Sequence, residues 1–351
     1  MRSSAPNMLK AVEAPLMGHP DKVCDLLVES VVDAYLERDP LAKFDIQALG
    51  TSGMVMIGGV VDSRADFDVT TLARAAYAKI GYKDEIDIFV NLEKPAVQVV
   101  REERRGLASG TAIVYGYATR ETRELLPPVV VYANSLARRI DSLRQQDPRF
   151  SWLRPDGKVQ MAMNGRDIAH ITLIAAHDES MDARQVQQLL MEHAVAPVVG
   201  DMDSTRVLIN PLGPFTVGGF KLNAGVSGRK ILSDTYGGLL PHGGSALIGK
   251  DPLKPAKAGT LMARFVAREL VREGRAGNVL VSAVYTVGLS DPVALTAITG
   301  EGEDISAEVA GRFDFRPEAI VERFNLRRPL YAAVANYGLF GRGGVPWEEA
   351  V

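Results

Sequence analysis

The chain has 351 residues, 46% of them hydrophobic and 24% charged, with a formal net charge of −3. That length buries a sizeable core and leads to an expectation of two or three structural units. The slight negative charge, with no basic stripe, speaks against a nucleic-acid partner. No apolar run reaches the roughly 18–20 residues of a membrane span, so no membrane partner is expected. The first ten residues lack a signal core, so the expected location is cytoplasmic.

Helical periodicity over 21–38 ends at Asp39-Pro40, because the residue before proline is pushed out of the helical region. The single cysteine, Cys24, excludes a disulfide framework and reads as a packing residue beside Val23 and Leu27. Residues 53–62 read as a strand whose Gly58-Gly59 implies a bulge or a close backbone approach. A helix over 68–80 and a strand over 86–91 follow. A charged segment at 101–110 then marks a boundary, and a second boundary is expected near Gly218. Next come a strand at 112–118, a helix at 129–146, a strand at 166–176, a helix at 182–198 and a strand at 206–210. Beyond the Gly-rich stretch 213–249 lie a helix at 261–273, a strand at 279–287 and short helices at 306–313 and 317–324. A strand–helix–strand rhythm therefore recurs near 45–100, 112–210 and 231–325, which predicts an α+β fold of similar β-α-β-type units.

Cations gather on Gly- and Pro-rich turns: Gly18-His19-Pro20-Asp21-Lys22, Gly228-Arg229-Lys230 and Gly249-Lys250-Asp251-Pro252. Such turns, far apart in sequence, suit a polyphosphate held between remote parts of one fold. Residues 244–250 match the first seven positions of a P-loop, but Asp251 stands where Ser or Thr is needed and no apolar strand precedes them. A true P-loop is rejected. No G-x-G-x-x-G follows a strand either, which disfavours a dinucleotide site.

These turns, with WLRPDGK (152–158), INPLGPF (209–215), SGRKILSDTYGG (227–238), HGG…GKDP (242–252) and YGLFGR…PW (337–347), resemble the S-adenosylmethionine synthetase family in order and at nearly its spacing. The resemblance runs from about Val12 to Glu348. It implies three related α+β domains in pseudo-threefold arrangement, here 8–102, 103–217 and 218–351. It also implies a homodimer with active sites between subunits, or a tetramer built from it, acting on ATP and a small-molecule acceptor. In that chemistry a thioether sulfur attacks C5′ of ATP and triphosphate leaves, which the family hydrolyses to phosphate and pyrophosphate. A leaving group of about four negative charges needs fixed cations.

By that resemblance His19 is the catalytic histidine that meets the C5′ oxygen. Lys158, Arg229, Lys230, Lys250 and Lys254 match the family's phosphate-binding cations, with Lys158, Arg229 and Lys250 counted as catalytic. Phe215 matches an aromatic near the adenine, and Asp156 and Asp234 fall in the same nucleotide-binding motifs. Asp21 matches a magnesium ligand. Taken singly, His19 and Asp21 also read as helix-entry residues, Phe215 as core and Lys254 as a solvated charge. Their joint occurrence favours the site.

The departures have one sign. Leu16-Met17 stand where the family has Ser-Glu, and Gln47 aligns with a potassium-binding Glu. Val60 replaces the Glu of a Gly-Gly-Glu strand, and Gly110 an Asp of a loop; in the family both carboxylates meet methionine. Asn223 and Ala256 replace two further Asp residues, the second a magnesium ligand, and Glu93 aligns with a methionine-side Gln. Carboxylates are lost while phosphate cations stay. A carboxylate in a dry pocket without a cation partner is costly to keep. The pattern predicts an adenosyltransferase with a changed acceptor site, fewer Mg2+ ions and weak support for potassium. The alternative is a non-catalytic nucleotide-binding regulatory or partner subunit of the same fold.

Overall fold

The structure, a computed structural model, describes residues 9–94, 106–200 and 206–349. The boundary expected at 101–110 lies in part, at 101–105, outside the described residues. The first part of the chain forms β1 (Lys10–Pro15), α1 (Pro20–Arg38), β2 (Lys43–Thr51), β3 (Met54–Asp62), α2 (Val69–Ile80) and β4 (Asp87–Glu93). The middle part forms β5 (Ala112–Thr119), α3 (Pro128–Gln146), β6 (Leu153–Asn164), β7 (Asp167–His177), α4 (Ala183–Leu190) and β8 (Arg206–Ile209). The last part forms β9 (Gly225–Val226), α5 (Ile231–Asp234), α6 (Pro255–Arg272), β10 (Asn278–Tyr285), β11 (Ala294–Thr299), α7 (Ser306–Arg312) and α8 (Pro317–Phe324).

Among the described residues the strands make three sheets, in the orders β1-β6-β7-β8, β11-β10-β5 and β4-β3-β2-β9. The fold is α+β, as the sequence predicts. The sheets do not follow the three contiguous stretches of the sequence rhythm, however. Strand β1 pairs antiparallel with β6, β5 pairs with β10, and β9 closes the sheet of β2 to β4. Each sheet takes an edge strand from a distant part of the chain.

Local chemistry explains where the elements start. Pro20 and Pro255 open α1 and α6 at a position where no backbone N–H is needed. Asp68 caps α2 by accepting from Thr71 N at 3.1 Å. Register runs unbroken across Gly58 and Gly59, so there is no bulge. The close approach is real, since a Cβ on Gly59 would lie 2.1 Å from the Asp45 carbonyl oxygen.

One core joins the β1- and β10-containing sheets to α3 and α6; a second, between β2–β4 and the helices α1 and α2, holds Cys24. Burial pushes the Cys24 thiol far up, consistent with a packing role. Among the described residues no helix is long and apolar enough to cross a membrane.

Candidate active site

The turn before α1 lies on β6. Leu16 N donates to Gly157 O at 3.0 Å and Gly18 N to Pro155 O at 3.1 Å, while Tyr82 Oη donates to Gly18 O. A Cβ on Gly18 would sit 2.3 Å from Pro155, so only glycine permits this approach. The result places His19 near Lys158. His19 caps α1, its Nδ1 accepting from Asp21 N at 3.2 Å. Burial, then Lys230, lowers its pKa to about 4. The ring is therefore neutral at physiological pH, with its proton assigned to Nε2.

Asp21 gathers the cations. Its Oδ1 takes Arg229 at 2.6 Å and Val226 N at 2.9 Å, and its Oδ2 takes Lys230 at 2.5 Å. Burial alone would push this carboxyl up, but the bonds from Arg229, Lys230 and Val226 hold it below the usual range. Arg229 and Lys230 also line a cleft of about 300 Å³ with Glu13, Gln160 and Ser233. Lys158 projects from β6 towards Glu13, at 2.9 Å.

A polar stripe that the sequence reading passed over runs along α1. Lys22 is buried and reaches Asp234 at 2.7 Å and Asp25 at 2.8 Å. One ammonium thus serves two buried carboxylates. Its own charge is strongly favoured, while burial raises both acids, Asp25 to about 6, against the pull of Lys22. Asp234, expected at the nucleotide, therefore holds Lys22 from behind the cluster. Asp25 accepts Gly228 N at 2.7 Å, Glu29 accepts Gly249 N at 3.2 Å, and Asp33 accepts the N–H groups of Leu330, Tyr331 and Ala332. The signal was there to find: acids at 21, 25, 29 and 33, one helical turn apart along the helix.

The other expected residues sit on separate elements. Asp156, on β6, is buried and accepts Gly219 N at 2.7 Å; burial raises its pKa to about 6. It borders a cleft of about 380 Å³ with Tyr82, Arg154 and Thr216. Phe215 is half-buried just before that wall. Its N–H donates to His177 Nε2 at 3.2 Å and its carbonyl accepts His177 N at 2.9 Å. Lys250 lies 3.9 Å from Asp45, and Lys254 reaches Ser109 at 3.3 Å from the start of α6.

Several departures have a local account. Leu16 is fully buried in the core, and Met17 N donates to Asp141 at 2.8 Å. The Gln47 side-chain oxygen accepts from Ser227 Oγ at 3.0 Å. Val60 stands in register between Asp45 and Glu93 on the outer face of its sheet. For a divalent cation, Asp21 is the carboxylate that bonds both Arg229 and Lys230, while Glu13 pairs with Lys158 beside them. Mg2+ takes one or two carboxylates plus phosphate oxygens, so this set fits an ion that arrives with its nucleotide.

An α+β chain with three strand-exchanging sheets, and a cation cluster where remote motifs meet, defines an interwoven three-domain class. Residues 7–104, 106–215 and 217–349 match the N-terminal, central and C-terminal domains of S-adenosylmethionine synthetase. The chain belongs to the S-adenosylmethionine synthetase family. It is 36% identical over 374 residues to the S-adenosylmethionine synthase of Desulforudis audaxviator, covering 96% of this chain and 94% of that protein. The S-adenosylmethionine synthases of Aquifex aeolicus (33% over 362 residues, 97% and 96% covered) and Deinococcus radiodurans (34% over 380 residues, 95% and 93% covered) are similar to it.

Proposed function

We propose that this family member transfers the adenosyl group of ATP to a methionine-like sulfur acceptor, in a site that a second copy of the chain completes. The observation that carries the reading is the set of cations around Asp21 and a neutral histidine at the start of α1. A sulfur lone pair forms the S–C5′ bond as the C5′–O bond breaks, and the electron pair leaves with the triphosphate oxygen. His19 Nε2–H is the donor that meets this oxygen, because Nδ1 is already engaged by the helix backbone. Arg229, Lys230 and Lys158 meet the growing charge, joined by Lys250 and Lys254. Before the ligand enters, Asp21 keeps Arg229 and Lys230 in place. Magnesium, held by Asp21 and phosphate oxygens, would supply further charge neutralisation when bound.

The acceptor side differs in charge from the cation side. Val60 and Gly110 stand where the family's ammonium-facing carboxylates would. The carboxylates beside Val60, Asp45 and Glu93, sit on the neighbouring strands. An ammonium that loses water at the family's positions without a counter-charge there is disfavoured. Methionine is accordingly a poor acceptor here, and one without a free ammonium a better one. On this reading the second copy docks on the outer face of the β2–β4 sheet. Its cross-strand row Leu49, Met56 and Phe89 is in register and exposed. The three domains fall at 8–102, 103–217 and 218–351. The test is to incubate the protein with ATP and magnesium, with and without methionine and other thioethers, and follow adenosyl products by mass spectrometry. A sulfonium product from some thioether is expected; ATP binding without adenosyl transfer to any of them would leave only a nucleotide-binding subunit.

A further inference from the structure

Glu29 is the one acid of the α1 stripe that faces the segment carrying Lys250 and Lys254. Its Oε1 accepts from Gly249 N at 3.2 Å and from Lys257 Nζ at 3.3 Å. These two donors bracket the segment. Between them the backbone is laid against β2, with Ile46 N donating to Gly249 O at 2.9 Å and Asp251 N to Phe44 O at 3.0 Å. The segment then turns into α6, where Lys254 O accepts Lys257 N at 2.9 Å. The Lys257 ammonium also sits 3.9 Å above the centre of the Tyr331 ring. Glu29 and Lys257 are both buried, so neither is needed for contact with solvent.

We propose that Glu29 is a positioning residue: by gripping Gly249 and Lys257 it sets the spacing at which Lys250 and Lys254 present their ammonium groups to a polyphosphate. This rests on the reading of those two lysines as phosphate-binding. A lysine at the start of a helix opposes the helix dipole, so the arrangement costs stability unless an anion is to be met there. Two long, flexible side chains bind a polyphosphate tightly only if their backbone is fixed beforehand, since ordering it on binding would subtract from affinity. A carboxylate beneath the segment fixes it without occupying the ligand's place.

Ionisation matters to this grip. Burial pushes the Glu29 carboxyl up to about 7, and Asp33, one turn along α1, pushes the same way, while Lys257 and the Gly249 N–H pull it down. The Tyr331 hydroxyl beside this pair is itself pushed well up, by burial and then by Glu29, Asp251 and Asp33. The Glu29 Oε2 is buried without a hydrogen-bond partner among the described residues, beside a void of about 10 Å³ lined by Lys257, Tyr331 and Trp347. The ionised form holds Lys257 more strongly than the neutral form, and the balance moves towards the neutral form as pH falls.

The experiment is calorimetric titration of the full-length protein with inorganic tripolyphosphate at pH 8 and pH 6. Glu29→Gln keeps a carbonyl oxygen for Gly249 N–H but loses the charge opposite Lys257. It should weaken binding about tenfold at pH 8, within the range such indirect couplings carry. The deficit should shrink at pH 6, as the wild-type carboxyl takes up protons. Equal affinity at pH 8, or the same deficit at both pH values, would overturn the role. Lys250→Ala is measured beside it: if that variant binds tripolyphosphate normally, the phosphate reading itself fails, whereas a Lys250→Ala loss with an unaffected Glu29→Gln removes only the positioning role. Should Glu29→Gln not fold, Lys257→Gln tests the same grip from the other side, with a similar loss at pH 8 expected and no loss overturning it.

Discussion

The inner stripe of α1 and the outer face of the β2–β4 sheet are both polar-apolar mixtures, yet they are opposite in kind. On α1 the charges are buried and matched: Asp21 with Arg229 and Lys230, Lys22 with Asp25 and Asp234, Glu29 with Lys257. On the sheet face the carboxylates Asp45 and Glu93 flank a valine, and the apolar row beside them is exposed. The first surface has its charges paired within one chain. The second is left exposed in the single chain.

Breaking the stripe should have the largest effect. Lys22→Met leaves two buried carboxylates without their shared ammonium, and loss of one side of a buried pair costs about 3–5 kcal/mol. Urea unfolding reads this directly, and a change under 1 kcal/mol would show that the pairing contributes little.

His19→Ala should slow adenosyl transfer by roughly 100-fold or more while leaving ATP affinity nearly unchanged. A parallel fall in affinity would make His19 a ground-state contact. The ring's depressed pKa adds a check with a definite sign. The unfolded chain takes up its proton near 6.5 and the folded one only near 4, so this group's contribution to stability is full above 6.5 and is lost as pH falls towards 4. Proton NMR of the imidazole should show a midpoint near 4 that moves up when tripolyphosphate binds.

Arg229→Ala removes one charge-assisted contact and should weaken ATP binding by about 1.5–3 kcal/mol in a calorimetric titration. Unchanged affinity would remove Arg229 from the site. On the sheet face, Phe89→Asp places a charge in the apolar row and should weaken self-association by about 2 kcal/mol or more, read by sedimentation across a concentration series. Identical sedimentation would leave that face to some other partner. The smallest effect is expected from Val60→Glu, which restores a counter-charge for an ammonium. Methionine turnover at low concentration should rise about tenfold, and no gain would show that Val60 does not set acceptor preference.

Elements with a clean period were legible in the sequence. The helix over Pro317–Phe324 and the strand over Met54–Asp62 lie within a residue of where periodicity places them. Strand β6 was not read, because Pro155, Asp156 and Gly157 are residues that strands usually avoid; the register shift between Leu153 and Gly157 shows how they are accommodated. Helix α6 begins at Pro255, six residues earlier than its periodicity suggests, since Pro255 and Gly259 look like turn residues until Gly259 is seen packed against Tyr285. At the candidate site, His19, Asp21, Lys158 and Arg229 were legible only through motifs that resemble the family's; the pairing of Asp21 with Arg229 and Lys230 was not. The stripe of Asp25, Glu29 and Asp33 did not, because acids in a helix are usually solvated and only the tertiary structure shows these gripping backbone N–H groups.

The exchanged edge strands also govern how the molecule can be made. A chain emerging from the ribosome has β1 more than a hundred residues before its partner β6, and β2 far ahead of β9. The β2–β4 sheet lacks one edge until Gly225 and Val226 have been synthesised. Contacts so distant in sequence favour slow, concerted assembly over domain-by-domain folding. A nascent N-terminal portion therefore leaves the ribosome with unpaired strand edges, and a piece cut from this protein at a domain boundary inherits them.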